Sequence, residues 1–229
     1  LVQIGLRDWE MGKNWSADLA VRADVKETLQ SLNPLLENLG GAERAARAKA
    51  VLAALADKNW SAQREAKRQV ALAKAAHTPI AHEWLMMRLA ESLPRDTIVV
   101  DEGLTTTASL LSFYPFRDRY SYFGNVSGGI GWGIAAAIGI QKAQPERRVV
   151  AVIGDGSAMY SVQSLWSAAH YKLPVTYIIA NNGGYRIIKQ RLKSFHGNET
   201  PIGMDFRDPP IDMTALAGAL GVRAERVTT

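Results

Sequence analysis

Two largely apolar runs, the first of them uninterrupted, constrain this chain most. Val149–Ile153 and Pro174–Ala180 are each long enough for a strand and too short for a helix, and neither shows the strict alternation of a half-exposed strand. Such runs belong to strands buried on both faces, the condition of a parallel sheet covered by helices on either side. The flanking patterns agree. Thr78-Pro79 reads as a helix start, with Ile80, Trp84 and Met87 marking one face. A short strand over Thr97–Val100, a helix over Thr105–Ser112, a strand over Tyr120–Phe123 and a small-residue helix over Gly131–Ala143 lead to the first run. Between the runs, Val162, Leu165, Trp166 and Ala169 form a helical stripe; beyond them Asp212 caps a helix ending at Gly221, and a last strand comes after it over Val222–Val227. Strands alternating with helices predict an α/β fold, an open, mostly parallel sheet with helices on both faces and right-handed crossovers.

The upstream part reads differently. Val2–Leu6 and Val25–Leu39 look like the last strand and helix of an earlier domain, closed by Gly40-Gly41. Between Gly41 and Ala75, eight basic against three acidic side chains hold the whole net charge of +5. That stretch is alanine-rich and free of glycine and proline after Gly41, so it reads as two solvent-facing helices with aliphatic stems on an apolar surface, not as a nucleic-acid face. The predicted division is residues 1–40, the end of a middle domain; 41–77, a charged helical linker; and 78–229, a ligand-binding domain. The chain opens on a strand pattern without methionine and stops after another, as a piece of a longer protein would. With no cysteine, disulfides, thiolate zinc sites, iron–sulfur clusters and a cysteine nucleophile are excluded, and a cytoplasmic setting is expected. The longest nearly uncharged stretch, Gly128–Ile140, falls short of the about 20 residues of a membrane span, and no signal peptide is recognisable. Neither nucleic acid nor membrane is expected as a partner.

In open parallel sheets, ligands bind beyond the carboxyl ends of the strands. Here one apolar run leads into Gly154-Asp155-Gly156-Ser157 and the other into Asn181-Asn182-Gly183-Gly184. If the two strands are neighbours, Asp155 and Asn182 stand side by side. A carboxylate, an amide oxygen and a carbonyl freed by Gly183-Gly184 make a hard oxygen set suited to magnesium. Gly156 and Ser157 open a helix whose N–H groups favour an anion. Either motif alone is also an ordinary turn; both at once, separated by one helix, read as a magnesium-bridged diphosphate site. Gly131-Trp132-Gly133-Ile134-Ala135-Ala136 satisfies the dinucleotide fingerprint G-x-G-x-x-A. The strand before it is polar-punctuated and set apart by Gly124–Ser127, and Asp155 sits between glycines that open another helix, so a nicotinamide enzyme is rejected. Asp101-Glu102 is a candidate polar pair or a turn. Phe195–Pro210, with His196-Gly197-Asn198, Thr200-Pro201 and Pro209-Pro210, is a candidate flap or a static surface loop.

Gly154-Asp155-Gly156-Ser157 followed by Asn182 resembles the G-D-G…N-N signature of thiamine-diphosphate enzymes. Gly128–Gly139, Pro145–Ser157, Leu165-Trp166 and Leu173-Pro174 extend the likeness to the 2-oxo acid decarboxylase and acetolactate synthase family, benzoylformate decarboxylases above all. The resemblance covers about Pro79–Thr229 and, more weakly, Leu1–Leu39. It implies that Asp155 and Asn182 bind Mg2+ through their side chains and Gly184 through its carbonyl. Gly156, Ser157 and Tyr185 would hold the diphosphate of thiamine diphosphate, with Thr105 contacting it from another strand end. The Gly128 carbonyl would accept from the aminopyrimidine, and Ile130 would be the wedge that keeps the cofactor bent. No catalytic side chain is singled out; Ile187 and Ile188 would line the substrate pocket. The implied activity is non-oxidative decarboxylation of a small 2-oxo acid through a ylid and an enamine. The alternatives are an acetolactate synthase-like carboligase making 2-hydroxyketones, and a non-catalytic homologue. A homodimer or homotetramer is implied, because the family places a glutamate from another domain of a neighbouring subunit against the aminopyrimidine. The 229 residues alone are therefore expected neither to hold the cofactor well nor to turn over. Some relatives bind FAD in the middle domain; nothing in these residues indicates a flavin. The chain departs from the pattern at Gly124 and Arg191, where aromatic pocket residues are expected, and at Leu104, where a small hydroxyl residue is expected.

Overall fold

A computed structural model describes residues 1–197 and 200–228. Within one helix the chain divides into two compact units, Leu1–Ala62 and the residues from Gln63 onward. In the first, β1 (Val2–Gly5) pairs in parallel with β2 (Leu19–Arg22), Val2 opposite Leu19. The Asp24 carboxylate accepts from the Glu27 N–H and so caps α1 (Val25–Asn38), and α2 (Ala42–Ala54) comes next. None of residues 1–62 is buried.

The second unit carries a four-stranded parallel sheet in the order β4-β3-β5-β6. Its strands are β3 (Ile98–Glu102), β4 (Tyr122–Gly124), β5 (Val149–Gly154) and β6 (Thr176–Ala180). The helices are α3 (Trp60–Ala73), α4 (His82–Ser92), α5 (Thr107–Phe113), α6 (Gly133–Ala143), α7 (Asp155–Ala158), α8 (Ser164–His170), α9 (Arg186–His196) and α10 (Met213–Ala219). Alternate residues of the two central strands serve opposite faces. Ile98, Val100, Ala151 and Ile153 pack with Ile134 and Ala137 of α6, Leu165 of α8 and Ala217 of α10. Val99 and Val152 pack with Met86 of α4, Leu110 of α5 and Tyr114. Residues 149–153 are all buried, as a strand covered on both faces requires. Among the described residues no helix is long and apolar enough to cross a membrane.

Two expectations change. α4 begins at His82 after Ala81, with Thr78-Pro79 in a bend before it, so the hydroxyl caps no helix. Val222–Val227 is not a strand: the Val222 N–H closes back onto the Ala217 carbonyl and Arg226 pairs with Asp212, leaving β6 at the sheet edge. α3 is exposed on one side and lies on an apolar surface with the other, as expected. Its Ala71 is buried against Met87 and Phe113, Arg64 donates to the Phe113 carbonyl at 2.9 Å, and Lys67 donates to Ser112 at 3.0 Å.

Candidate cofactor and metal site

The register of β5 on β6 pairs Gly154 with Ala180, so both strands end level and release their polar loops side by side. Asp155 is only 2% exposed, and the turn after β6 sets its position. Its Oδ2 accepts from the N–H of Gly183 at 2.8 Å and of Gly184 at 3.1 Å. Oδ1 makes no hydrogen bond to the protein among the described residues. Asn182 lies exposed in the same turn, which Gly183 completes at φ +71. The Gly184 carbonyl accepts from the Arg186 N–H at 3.0 Å, which uses one of its two lone pairs.

The turn is clamped from the far side by a segment about twenty residues on. Gly184 lies opposite Asp205 in an antiparallel bridge, with Tyr185 N–H on the Met204 carbonyl and Phe206 N–H on the Gly183 carbonyl, both at 2.9 Å. Lys189 pairs with Asp205, and Tyr185 packs edge-on against Phe206 at 4.8 Å. Burial pushes the Tyr185 hydroxyl above the ordinary tyrosine range, and Tyr160 beside it adds to the effect. Gly156 lies directly beneath the Tyr185 ring, where a Cβ would come within 2.7 Å of it.

The hydrogen bond from Lys189 holds the Asp205 carboxyl below its usual 3.8. A carboxyl lowered on folding contributes stability above its unfolded value and loses it as pH falls through the folded one. In thermal melts, the gap between the protein and Asp205→Asn should therefore be constant from neutral pH down to about pH 5 and close only below 3.8. A gap that closes between about pH 5 and 7 would show that the clamp has no such carboxylate at its centre.

At the next strand end, Asp101 shapes the β3–α5 turn. Its Oδ1 accepts from the Gly103 N–H at 2.9 Å and the Thr107 hydroxyl at 3.1 Å, and its Oδ2 from the Tyr122 hydroxyl at 2.8 Å. This turn carries Thr105. Thr105, Asp155, Asn182 and Gly183 line one open cleft of about 1490 Å³, which also runs back along β6 past Ile179, Tyr177 and Thr176.

The structure thus brings Thr105, Asp155, Asn182 and Gly184 to adjoining strand ends, with Gly156 and Tyr185 stacked beside them. Ser157 is buried in α7, a helix of a single turn. Gly128 and Ile130 lie in a separate loop after β4: Gly128 is exposed at φ +79, and Ile130 is half-buried. Ile187 is half-buried and Ile188 exposed on the first turn of α9; neither lines the cleft. The clamp by Met204–Phe206 was not foreseen and leaves no local signal in the sequence. Of the candidate flap Phe195–Pro210, Asn198 and Glu199 lie outside the described residues.

Residues 103–229 match the family model of the thiamine pyrophosphate enzyme, C-terminal TPP binding domain. The chain is 40% identical over 136 residues to benzoylformate decarboxylase of Pseudomonas aeruginosa, covering 59% of this chain and 25% of that protein. It is 37% identical over 142 residues to a putative acetolactate synthase large subunit, IlvX, of Mycobacterium tuberculosis, covering 60% and 28%. Among solved structures, a Rhodococcus jostii RHA1 thiamine diphosphate-dependent 4-hydroxybenzoylformate decarboxylase superposes with a TM-score of 0.63 at 39% identity, covering 68% of this chain and 29% of that one. The chain therefore spans only about a quarter of the length of these relatives. It belongs to the thiamine pyrophosphate enzymes, and residues 103–229 are the part that matches their C-terminal TPP-binding domain.

Proposed function

We propose that this chain is the magnesium- and diphosphate-holding part of an enzyme that decarboxylates a small 2-oxo acid without oxidation. The observation that carries the reading is the Asp155 carboxylate. One oxygen is pinned by two backbone N–H groups, and the other has no protein partner among the described residues, at a cleft shared with Asn182 and Thr105. A carboxylate held at 2% exposure, with one oxygen free of protein partners among the described residues and beside an amide and a carbonyl oxygen, fits a hard cation such as Mg2+, which completes its shell with phosphate oxygens and water. The missing side chains of Gly156 and Gly184 admit the Tyr185 ring and the Met204 carbonyl, which pack the turn around Asp155, and Thr105 offers a hydroxyl from the neighbouring turn.

In this reading Asp155, Asn182 and the Gly184 carbonyl hold the cation. Gly156, Ser157, Tyr185 and Thr105 hold the diphosphate, and Gly128 and Ile130 meet the organic half. When bound, thiamine diphosphate supplies an electron sink for the carbon that loses carbon dioxide. At Gly124, β4 presents no side chain, and the Tyr122 ring already fills the space a Cβ would enter.

Residues 1–40 are, on this view, the end of a preceding domain and 41–77 the linker. The absence of any buried residue in 1–62 supports the first, since a two-stranded sheet with one helix cannot make a core alone. The enzyme would be a cytoplasmic homodimer or homotetramer. The likeness to proteins named as benzoylformate decarboxylases favours decarboxylation; the likeness to one named as a putative acetolactate synthase subunit supports a carboligase as the second reading. Steady-state product analysis of the assembled enzyme with Mg2+, thiamine diphosphate and 2-oxo acids should yield the aldehyde. A hydroxyketone as main product would establish the second reading, and no binding of cofactor would remove both.

A further inference from the structure

Glu102 ends β3 and is 1% exposed, yet it is not among the residues that line the cleft. Its carboxylate is spent on backbone about thirty residues away. Oε1 accepts from the N–H groups of Gly131 and Trp132, and Oε2 from that of Gly133 at 2.8 Å. These are the free donors at the start of α6, whose N-cap residue, Trp132, supplies no side-chain bond. The cap is delivered in trans, from the neighbouring strand. Gly133 permits the approach because a Cβ there would lie 2.7 Å from Oε2 and 2.5 Å from Ile153 Cδ1. Burial raises the Glu102 carboxyl above the ordinary range, and the three donors pull the other way.

Gly131 is gripped on its other sides as well. Ser161 donates its hydroxyl to the Gly131 carbonyl, and the Cα of Gly131, at φ +99, lies against Tyr160 where a Cβ would come within 2.5 Å. The loop leading into it is held mainly by itself. Asn125 donates to the Gly129 carbonyl at 2.6 Å and accepts from the Gly128 N–H at 2.8 Å, while Val126 is fully exposed. The place of Gly128 and Ile130 relative to the sheet therefore depends on the grip at Gly131.

We propose that Glu102 is a positioning residue, whose carboxylate anchors at Gly131–Gly133 the loop that presents Gly128 and Ile130 to the organic half of the cofactor. This rests on the assignment of that loop made above. In the proposed site the cation is held from the ends of β5 and β6 and the diphosphate from there and from Thr105, and the Glu102 carboxylate hydrogen-bonds Gly131–Gly133 and none of these groups, so the two halves separate experimentally. The test is calorimetric titration of the assembled enzyme with Mg2+ and either thiamine diphosphate or inorganic diphosphate, together with amide hydrogen exchange. Glu102→Gln keeps the shape but places an amide NH2 against N–H donors. It should weaken thiamine diphosphate about tenfold, the size of a lost charged hydrogen bond, and leave inorganic diphosphate unchanged. Exchange should quicken at Gly131–Gly133 and stay unchanged at Gly183 and Gly184. Ser161→Ala, on the opposite side of the same grip, should give the same pattern with a smaller loss, and it carries the test if the glutamine variant does not fold. Equal loss of both probes, or loss of neither, overturns the proposal while the assigned function stands. If the unaltered enzyme binds neither probe, the assigned function falls first.

Discussion

Asp155→Asn is expected to leave the fold standing and to weaken Mg2+-dependent binding of thiamine diphosphate by at least a hundredfold, about 2.7 kcal/mol. The two halves of this carboxylate do different work. Oδ2 orders the turn after β6 by accepting from Gly183 and Gly184. An asparagine oxygen can accept the same two bonds, so the turn persists and the melting temperature should move by no more than about 2 °C. What asparagine cannot supply is the negative charge. In the proposed donor set of Asp155, Asn182 and Gly184, Asp155 is the sole carboxylate, and a hard divalent cation left with neutral oxygens alone is held far more weakly. Asp155→Ala makes the contrast. It removes the acceptor as well, leaving the buried Gly184 N–H without a partner and the Gly183 N–H with Asn181 Oδ1 alone, which costs about 1–3 kcal/mol and lowers the melt by roughly 3–9 °C. Calorimetry with and without Mg2+, alongside melts of both variants, reads the two effects separately. Unchanged affinity in Asp155→Asn would reduce Asp155 to a loop pin and remove the main support for the proposed function.

Legibility in the sequence divides along physical lines. Strand β5 was legible because burial on both faces forces a continuous apolar run, and β6, half-buried at the sheet edge, because its run is broken only by the exposed Thr176; their glycine-rich ends were legible because close backbone approach excludes side chains. The level ends that bring Asp155 beside Asn182 arise from parallel pairing of two strands joined through one helical layer. Contacts between a side chain and remote backbone were not legible. Glu102 reads as half of a strand-end turn because its partners are N–H groups around position 132, and nearly every residue type carries such groups. The grip of Met204–Phe206 on Gly183–Tyr185 is likewise backbone to backbone and leaves no pattern. Val222–Val227 failed in the opposite direction. Its alternation is a strand pattern, but local pairing of Arg223 with Glu225 and of Arg226 with Asp212 takes the place of a ladder with β6. Leu19–Arg22 is too short, at four residues, to show a period at all.

Gly184→Ala should be the most damaging of the glycine substitutions in this site, although Gly184 needs no unusual backbone angle. A Cβ there would collide with the Met204 carbonyl and lie 3.3 Å from Asp205 Cα, and both are backbone. Neither can swing aside as a side chain would. Relief requires the bridge to open, with loss of the Tyr185-to-Met204 and Phe206-to-Gly183 hydrogen bonds, at about 3 kcal/mol for the bonds and the strain together. That corresponds to a fall of roughly 6–12 °C in melting temperature. Cofactor binding should be lost with it, because the same opening frees the turn that carries Asn182 and seats Asp155. Gly183→Ala tests the reasoning from the other side. Gly183 sits at φ +71 with no atom within 4 Å of the added carbon, so the cost is only that of a left-handed alanine, about 1 kcal/mol, and the cation site survives. Gly156→Ala falls between them: its Cβ meets the Tyr185 ring, which can tilt away from Phe206, so affinity should drop more than stability. If Gly183→Ala were as harmful as Gly184→Ala, the turn's own conformation would be the controlling feature, and the clamp by residues 204–206 would be incidental.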